Sequence, residues 1–342
     1  MTTAAAVYEV KPNNIYAWDA NTLTATMKAG GMRVHTAVTS PPYYGLRDYG
    51  ADGQIGLEQT PDEYVRALVT VFRGVRDVLR DDGTLWINIG DSYANDDKWG
   101  GSTGGKHAGG LHGDTNVGRG RKATGLPPKS RMMIPARLAL ALQADGWILR
   151  DEIVWHKPAP MPEPVQDRTV KAHEMIYMFS KSPRYYFDAT AIREENSPDM
   201  QRRAAAGHTR GGTKTSRDKS RHDHETMLKM REIDASGRNK RSVWTVNTEP
   251  SPIPHFAMYP QKLIEPCILA GAPVGGVVFD PFMGGGTTAL VAQRLGRQYI
   301  GSELNPEYAE IARYRVAGRI DEYLAKMRGE AFTAYMFQEQ TA

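Results

Sequence analysis

From residue 60 onward the apolar positions Tyr64, Leu68, Val71, Phe72, Val75 and Leu79 recur at the spacing of one helix face. Thr60, Pro61 and Glu63 stand in front of them as N-cap, first-turn proline and capping-box acid, so the pattern predicts a helix that opens at Thr60. Asp82-Gly83 reads as its end, and TLWINIGDSY (84–93) as the strand that follows, running into a loop at Gly90-Asp91. Upstream, the apolar run Thr36-Ala37-Val38 predicts a short buried strand. Strand, helix, strand in this order begins a parallel sheet. Further along, the pattern predicts a helix from about Ile134 to Ala144 and strands at 147–155 (WILRDEIVW) and 173–179 (HEMIYMF). The most regular stretch is 275–316: VVFD predicts a strand, the glycines a tight turn, TTALVAQRL a helix, QYIGSE a strand and PEYAEIARYRV a helix.

Two stretches break the pattern. Residues 95 to 129 are Gly-rich, polar and basic with no periodic apolar face, which predicts a long mobile loop. Residues 189 to 245 lose periodicity again, and between 200 and 221 Arg202, Arg203, Arg210, Lys214, Arg217, Lys219 and Arg221 face Asp218 alone. A charge run of this kind is either a solvated face or a polyanion contact, and its place between two ordered halves favours the contact. These breaks divide the chain into a catalytic half at 1–188 with a flexible loop at 94–130, an insert at 189–245, a ligand-binding half at 246–330 and a tail at 331–342.

Composition narrows the class. The 342 residues are enough for one large α/β domain carrying a smaller insert, and the net charge of +4 means that basicity is local. A single cysteine, Cys267, excludes an internal disulfide and a multi-cysteine zinc site, and its apolar, helix-like context reads as a small buried side chain. With no apolar stretch of membrane-spanning length, the expectation is a cytoplasmic protein with no membrane partner.

Chemistry concentrates in two places. In TSPPYYGLRDY (39–49) the paired prolines lack N–H groups and fix φ, so the segment is a stiff, shaped loop rather than a central strand. In DPFMGGGTT (280–288) a glycine turn between strand and helix lets a ligand approach backbone N–H groups, and Glu303 at the end of the next strand suits ribose hydroxyls. A P-loop needs Gly-Lys-Ser/Thr and a dinucleotide fold G-x-G-x-x-G, and neither is present. Asp280 would repel a pyrophosphate and attract the ammonium of a methionine moiety, which points to S-adenosylmethionine.

DPFMGGGTT followed by GSELNPEY resembles the cofactor and ribose motifs of DNA amino-methyltransferases, and TSPPY resembles their catalytic motif. The order, catalytic motif first and cofactor motif last, resembles the β class of that family. HFAMYPQKL (255–263) matches the motif which that class places before the cofactor strand. The resemblance implies a Rossmann-like α/β fold with a mostly parallel twisted sheet, helices on both faces, circularly permuted motifs and an inserted target-recognition region.

Carried over by position, Asp280, Phe282, Gly284 and Gly286 would line the methionine and adenosine pocket, Thr287 or Thr288 would meet the carboxylate, Glu303 the ribose, and Asp19 the adenine. No metal is expected. The Pro41 carbonyl and Ser40 hydroxyl would accept hydrogen bonds from the exocyclic amino group of an extruded base, held in direction by Pro41-Pro42, while Tyr43 offers a stacking face. Ser40 favours cytosine N4, with adenine N6 as the alternative. RNA or protein amide methylation and non-catalytic DNA binding are the further alternatives. The implied partner is double-stranded DNA, contacted through the 200–221 cations, with a homodimer and a companion restriction endonuclease left open.

Overall fold

The apolar run at Thr36 is β2 (Val34–Thr39), which sits inside an eight-stranded sheet in a computed structural model describing residues 8–46, 51–94, 124–205, 237–249 and 258–339. In chain order the elements are β1 (Asn14–Tyr16), α1 (Ala20–Ala29), β2, α2 (Pro61–Val78), β3 (Leu79–Ile89), α3 (Ile134–Ala144), β4 (Ile148–His156) and β5 (His173–Ser180). They continue with α4 (Pro198–Ala205), β6 (Val243–Thr245), α5 (Gln261–Gly271), β7 (Val277–Asp280), α6 (Thr287–Arg294), β8 (Gln298–Ser302), α7 (Pro306–Val316) and α8 (Ile320–Glu339). The sheet order is β1-β8-β7-β2-β3-β5-β4-β6. Among the described strands of this sheet, only the β3–β5 and β5–β4 pairings are antiparallel.

Thr60 opens α2 with the reciprocal bonds of a capping box: its hydroxyl accepts from the Glu63 N–H at 3.2 Å, and Glu63 accepts from the Thr60 N–H at 3.0 Å. The end of this helix differs from the sequence expectation. It closes at Val78, and β3 starts at once at Leu79 and carries Asp82-Gly83 within it. The register between β2 and β3 shifts here, and a Cβ on Gly83 would lie 2.8 Å from the Leu79 side chain and 3.1 Å from the His35 carbonyl. The glycine therefore marks a bulge where two backbones approach, rather than a helix stop.

Alternation along β2 sends Ala37 into the core shared with α1, α2 and α3, and Thr36 to the face covered by α5. On that second face Gly271 of α5 comes so close that a Cβ would lie 2.6 Å from the Thr36 hydroxyl, and Cys267 is buried one turn earlier. From β7 the chain turns to β8 on one side, and from β2 it turns to β3 on the other. The neighbouring pair β7 and β2 is thus a topological switch point, where the C-terminal strand ends leave a crevice. Residues Asp188–Arg241 form a unit of their own, in which Glu194 and Arg238 exchange backbone bonds at 2.9 Å and the Arg241 guanidinium bonds Glu194 at 3.0 Å. Among the described residues no helix is long and apolar enough to cross a membrane.

Candidate active site

Every strand of the sheet that carries chemistry presents it at one edge. Ser40 follows β2, Asn88 lies near the end of β3, Lys157 follows β4, Glu174 opens the antiparallel β5, Pro281 follows β7 and Glu303 follows β8. They line a cleft of about 1270 Å³.

On the β7 side, Gly284 (φ 51°) and Gly286 (φ 81°) adopt left-handed backbone, which lets the chain turn from β7 into α6. Gly286 also lets α7 pack closely, since a Cβ there would lie 3.0 Å from that of Ala312. Glu303 spans the turn, accepting from the Gly284 N–H at 2.8 Å and the Asn305 N–H at 2.9 Å. Burial raises its pKa to about 7, with the negative charge of Asp280 adding to the shift. Arg315 of α7 donates to the Gly285 carbonyl and to the Thr287 hydroxyl, each at 2.8 Å, so a guanidinium backs the open loop.

Asp280 is 1% exposed and its carboxylate is committed to protein donors. It accepts from Thr39 at 2.6 Å, Thr288 at 2.5 Å, Tyr259 at 3.1 Å and the Phe282 N–H at 3.0 Å, which fills the capacity of a carboxylate. Burial pushes its pKa up against these bonds. The Tyr259 and Thr288 hydroxyl oxygens also lie in contact with each other. Thr39 is the residue before Ser40, so this cluster ties the strand carrying the S-P-P-Y loop to the strand carrying the glycine turn. Thr288 is fully buried, while Phe282, Gly284 and Thr287 border the cleft directly. Asp19 borders it too, and caps α1 by accepting from the Asn21 and Thr22 N–H groups at 3.0 Å.

On the β2 side, Tyr64 of α2 donates to the Pro42 carbonyl at 2.7 Å, and the Gly45 N–H bonds the Gly56 carbonyl at 2.8 Å. Ser40, Pro41, Pro42 and Tyr43 all border the cleft, and among the described residues the Pro41 carbonyl has no donor. The Tyr43 ring stands over Gly90, where a Cβ would come within 2.5 Å of it. Its hydroxyl donates to Glu174 at 2.7 Å, and burial followed by the Glu174 charge holds its pKa well above that of free tyrosine.

Arg202 is exposed and 3.8 Å from Asp199, and Arg203 lies in α4. Arg210, Lys214, Arg217, Lys219 and Arg221 lie outside the described residues, as do 95–123 of the Gly-rich stretch.

Tyr259, Asn88, Lys157, Glu174 and Arg315 belong to this site without having been singled out in the sequence. Tyr259 stood inside HFAMYPQKL. Glu174 and Lys157 stood as charges at the ends of apolar strand patterns, a signal that becomes specific only once the β4–β5 register sets Trp155 opposite Glu174.

Residues 34–314 match a family model described as DNA methylase, that of the N6/N4 methyltransferases. The chain is 42% identical to the type II methyltransferase M.Cfr9I of Citrobacter freundii over 91% of its length and 89% of the relative's. With M.SmaI of Serratia marcescens it is 43% identical, covering 82% and 84% of the two chains. Among solved structures, PvuII DNA methyltransferase (cytosine-N4-specific) superposes with a TM-score of 0.55 at 17% identity, over 93% of this chain and 95% of that one. TTHA0409 of Thermus thermophilus, solved with S-adenosyl-L-methionine, gives 0.51 at 23% identity over 90% and 95%. A mostly parallel α/β sheet with its chemistry at one switch-point edge and a family match from β2 to α7 make this chain a member of the N6/N4 DNA methyltransferase family.

Proposed function

We propose that the chain methylates cytosine at N4 in double-stranded DNA, as a type II enzyme like its relatives. The observation that carries this reading is Ser40: a hydroxyl, not a carboxylate, stands at the cleft beside the Pro41 carbonyl, which has no donor among the described residues. An exocyclic amino group is a poor nucleophile because its lone pair is delocalised into the ring. Two acceptors aimed at its hydrogens favour the pyramidal form that can attack. The Pro42 carbonyl is engaged by Tyr64, which fixes the loop so that Pro41 and Ser40 present their acceptors in a set direction.

The other half of the cleft fits S-adenosylmethionine, which supplies the electrophilic methyl group when bound. Glu303 retains acceptor capacity for ribose hydroxyls beyond its bonds to backbone N–H groups. Gly284, Gly286 and Thr287 shape the turn that receives the methionine end, with the Arg315 charge behind it. Phe282 gives an apolar wall, and Asp19, which borders the cleft, would meet the adenine. Asp280 and Thr288 act from behind, by holding the turn against β2. Residues 189–245 serve target recognition, through the cations between 200 and 221.

The test is incubation with duplex DNA of varied sequence and labelled S-adenosylmethionine, followed by mass spectrometry of the nucleosides. N4-methylcytosine is expected, and N6-methyladenine would overturn the choice of base. Ser40→Ala should lower the transfer rate by about 100-fold while leaving S-adenosylmethionine affinity unchanged.

A further inference from the structure

Against Tyr43 of the S-P-P-Y loop lies a charged cluster drawn from β3, β5 and the residue that follows β4. Glu174, at the start of β5, accepts from the Tyr43 hydroxyl at 2.7 Å on one oxygen. Its other oxygen lies 2.5 Å from the Lys157 ammonium, and the two side chains are only 14% and 19% exposed. Asn88 of β3 donates to the carboxylate at 3.3 Å and to the Met175 carbonyl at 3.2 Å. The Lys157 ammonium sits 4.2 Å from the centre of the Trp155 ring, which gives the cation a second, aromatic contact.

Such a pair is a poor device for stability, because withdrawing two charges from water offsets most of their attraction. It is a good device for fixing geometry, since Glu174 has partners on three sides and cannot turn without breaking one of them. What it fixes is Tyr43, whose ring is seated over Gly90 and whose backbone closes the loop that presents Ser40 and Pro41.

We propose that Glu174 and Lys157 are positioning residues for methyl transfer: Lys157 holds the Glu174 carboxylate, and Glu174 anchors the Tyr43 hydroxyl so that the Ser40 and Pro41 acceptors keep their direction. The proposal rests on the assignment of this part of the cleft to the target base, and it holds for either base. Neither residue touches the reacting atoms, so their removal should slow the chemical step while sparing the cofactor site on the β7 side.

The experiment compares Tyr43→Phe, Glu174→Gln, Lys157→Met and the double variant Tyr43→Phe with Glu174→Gln. Single-turnover methylation of plasmid DNA, equilibrium binding of S-adenosylmethionine and thermal melting are measured for each. Each single variant should lose about 10- to 100-fold in rate with cofactor affinity within about twofold of wild type. The double variant should be no slower than Glu174→Gln, because both changes break the same link. Losses that multiply in the double variant would overturn the proposal, as would a Glu174→Gln enzyme with wild-type rate and a lowered melting temperature. A wild-type control that leaves the DNA unmethylated would remove the target-base assignment itself, and the role of the pair with it.

Discussion

As the proposed ribose ligand, Glu303 would combine two demands that oppose each other: staying open to ligand hydroxyls, and being held where burial disfavours its charge. With its pKa raised to about 7, the free protein binds a proton there that the unfolded chain has already released. The stability that this proton brings is present below the ordinary carboxylate pKa and is lost as pH rises through about 7. The carboxylate form is the stronger acceptor, so S-adenosylmethionine affinity should move the other way and improve from about pH 6 to pH 8. Binding titrations across that range should show the rise in wild type, and Glu303→Gln should bind more weakly with the slope removed. A wild-type slope retained in the variant would assign the titration to another group.

At the scale of elements, the S-P-P-Y loop depends on a glycine in a different strand connection. Gly90 follows β3, and a side chain there would occupy the space of the Tyr43 ring, 2.5 Å from its nearest carbon. Gly90→Ala should unseat the ring and lower methyl transfer by about 10-fold or more while cofactor binding is retained. Equal loss of both would mean that the sheet edge itself had collapsed. The sequence announced most of these elements, because α2 carries its own capping box and the β7–α6–β8–α7 run its own periodicity. It was less legible where the physics is non-local. Asp82-Gly83 has the composition of a helix stop, yet the β2–β3 register makes it a bulge. Likewise no local pattern shows that Asp280 is saturated by Thr39, Thr288 and Tyr259, since two of these partners come from other segments. The motif positions of the site were readable from TSPPY and DPFMGGGTT, whereas Glu174 and Lys157 required knowledge of which strands adjoin.

For the whole molecule, the cations between 200 and 221 set an expectation about DNA. If they neutralise phosphates, log affinity should fall linearly with log salt, by about 0.9 for each phosphate engaged. Replacing Arg210, Lys214 and Arg217 with Gln should flatten that slope, measured by filter binding at several salt concentrations. An unchanged slope would remove those three residues from the interface. The sheet order carries a further consequence. Thr39 and Asp280 meet although they lie 241 positions apart, so β2 gains its β7 neighbour only after that long intervening stretch has been synthesised. At about 5 to 20 residues per second, the ribosome takes roughly 10 to 50 seconds to cover that interval. During it, β2 exposes one unpaired edge, and the nascent protein can hold neither cofactor nor target base. Activity thus begins with completion of the fold, and a chaperone that shields strand edges should raise the yield of active enzyme more than it changes the rate of any finished molecule.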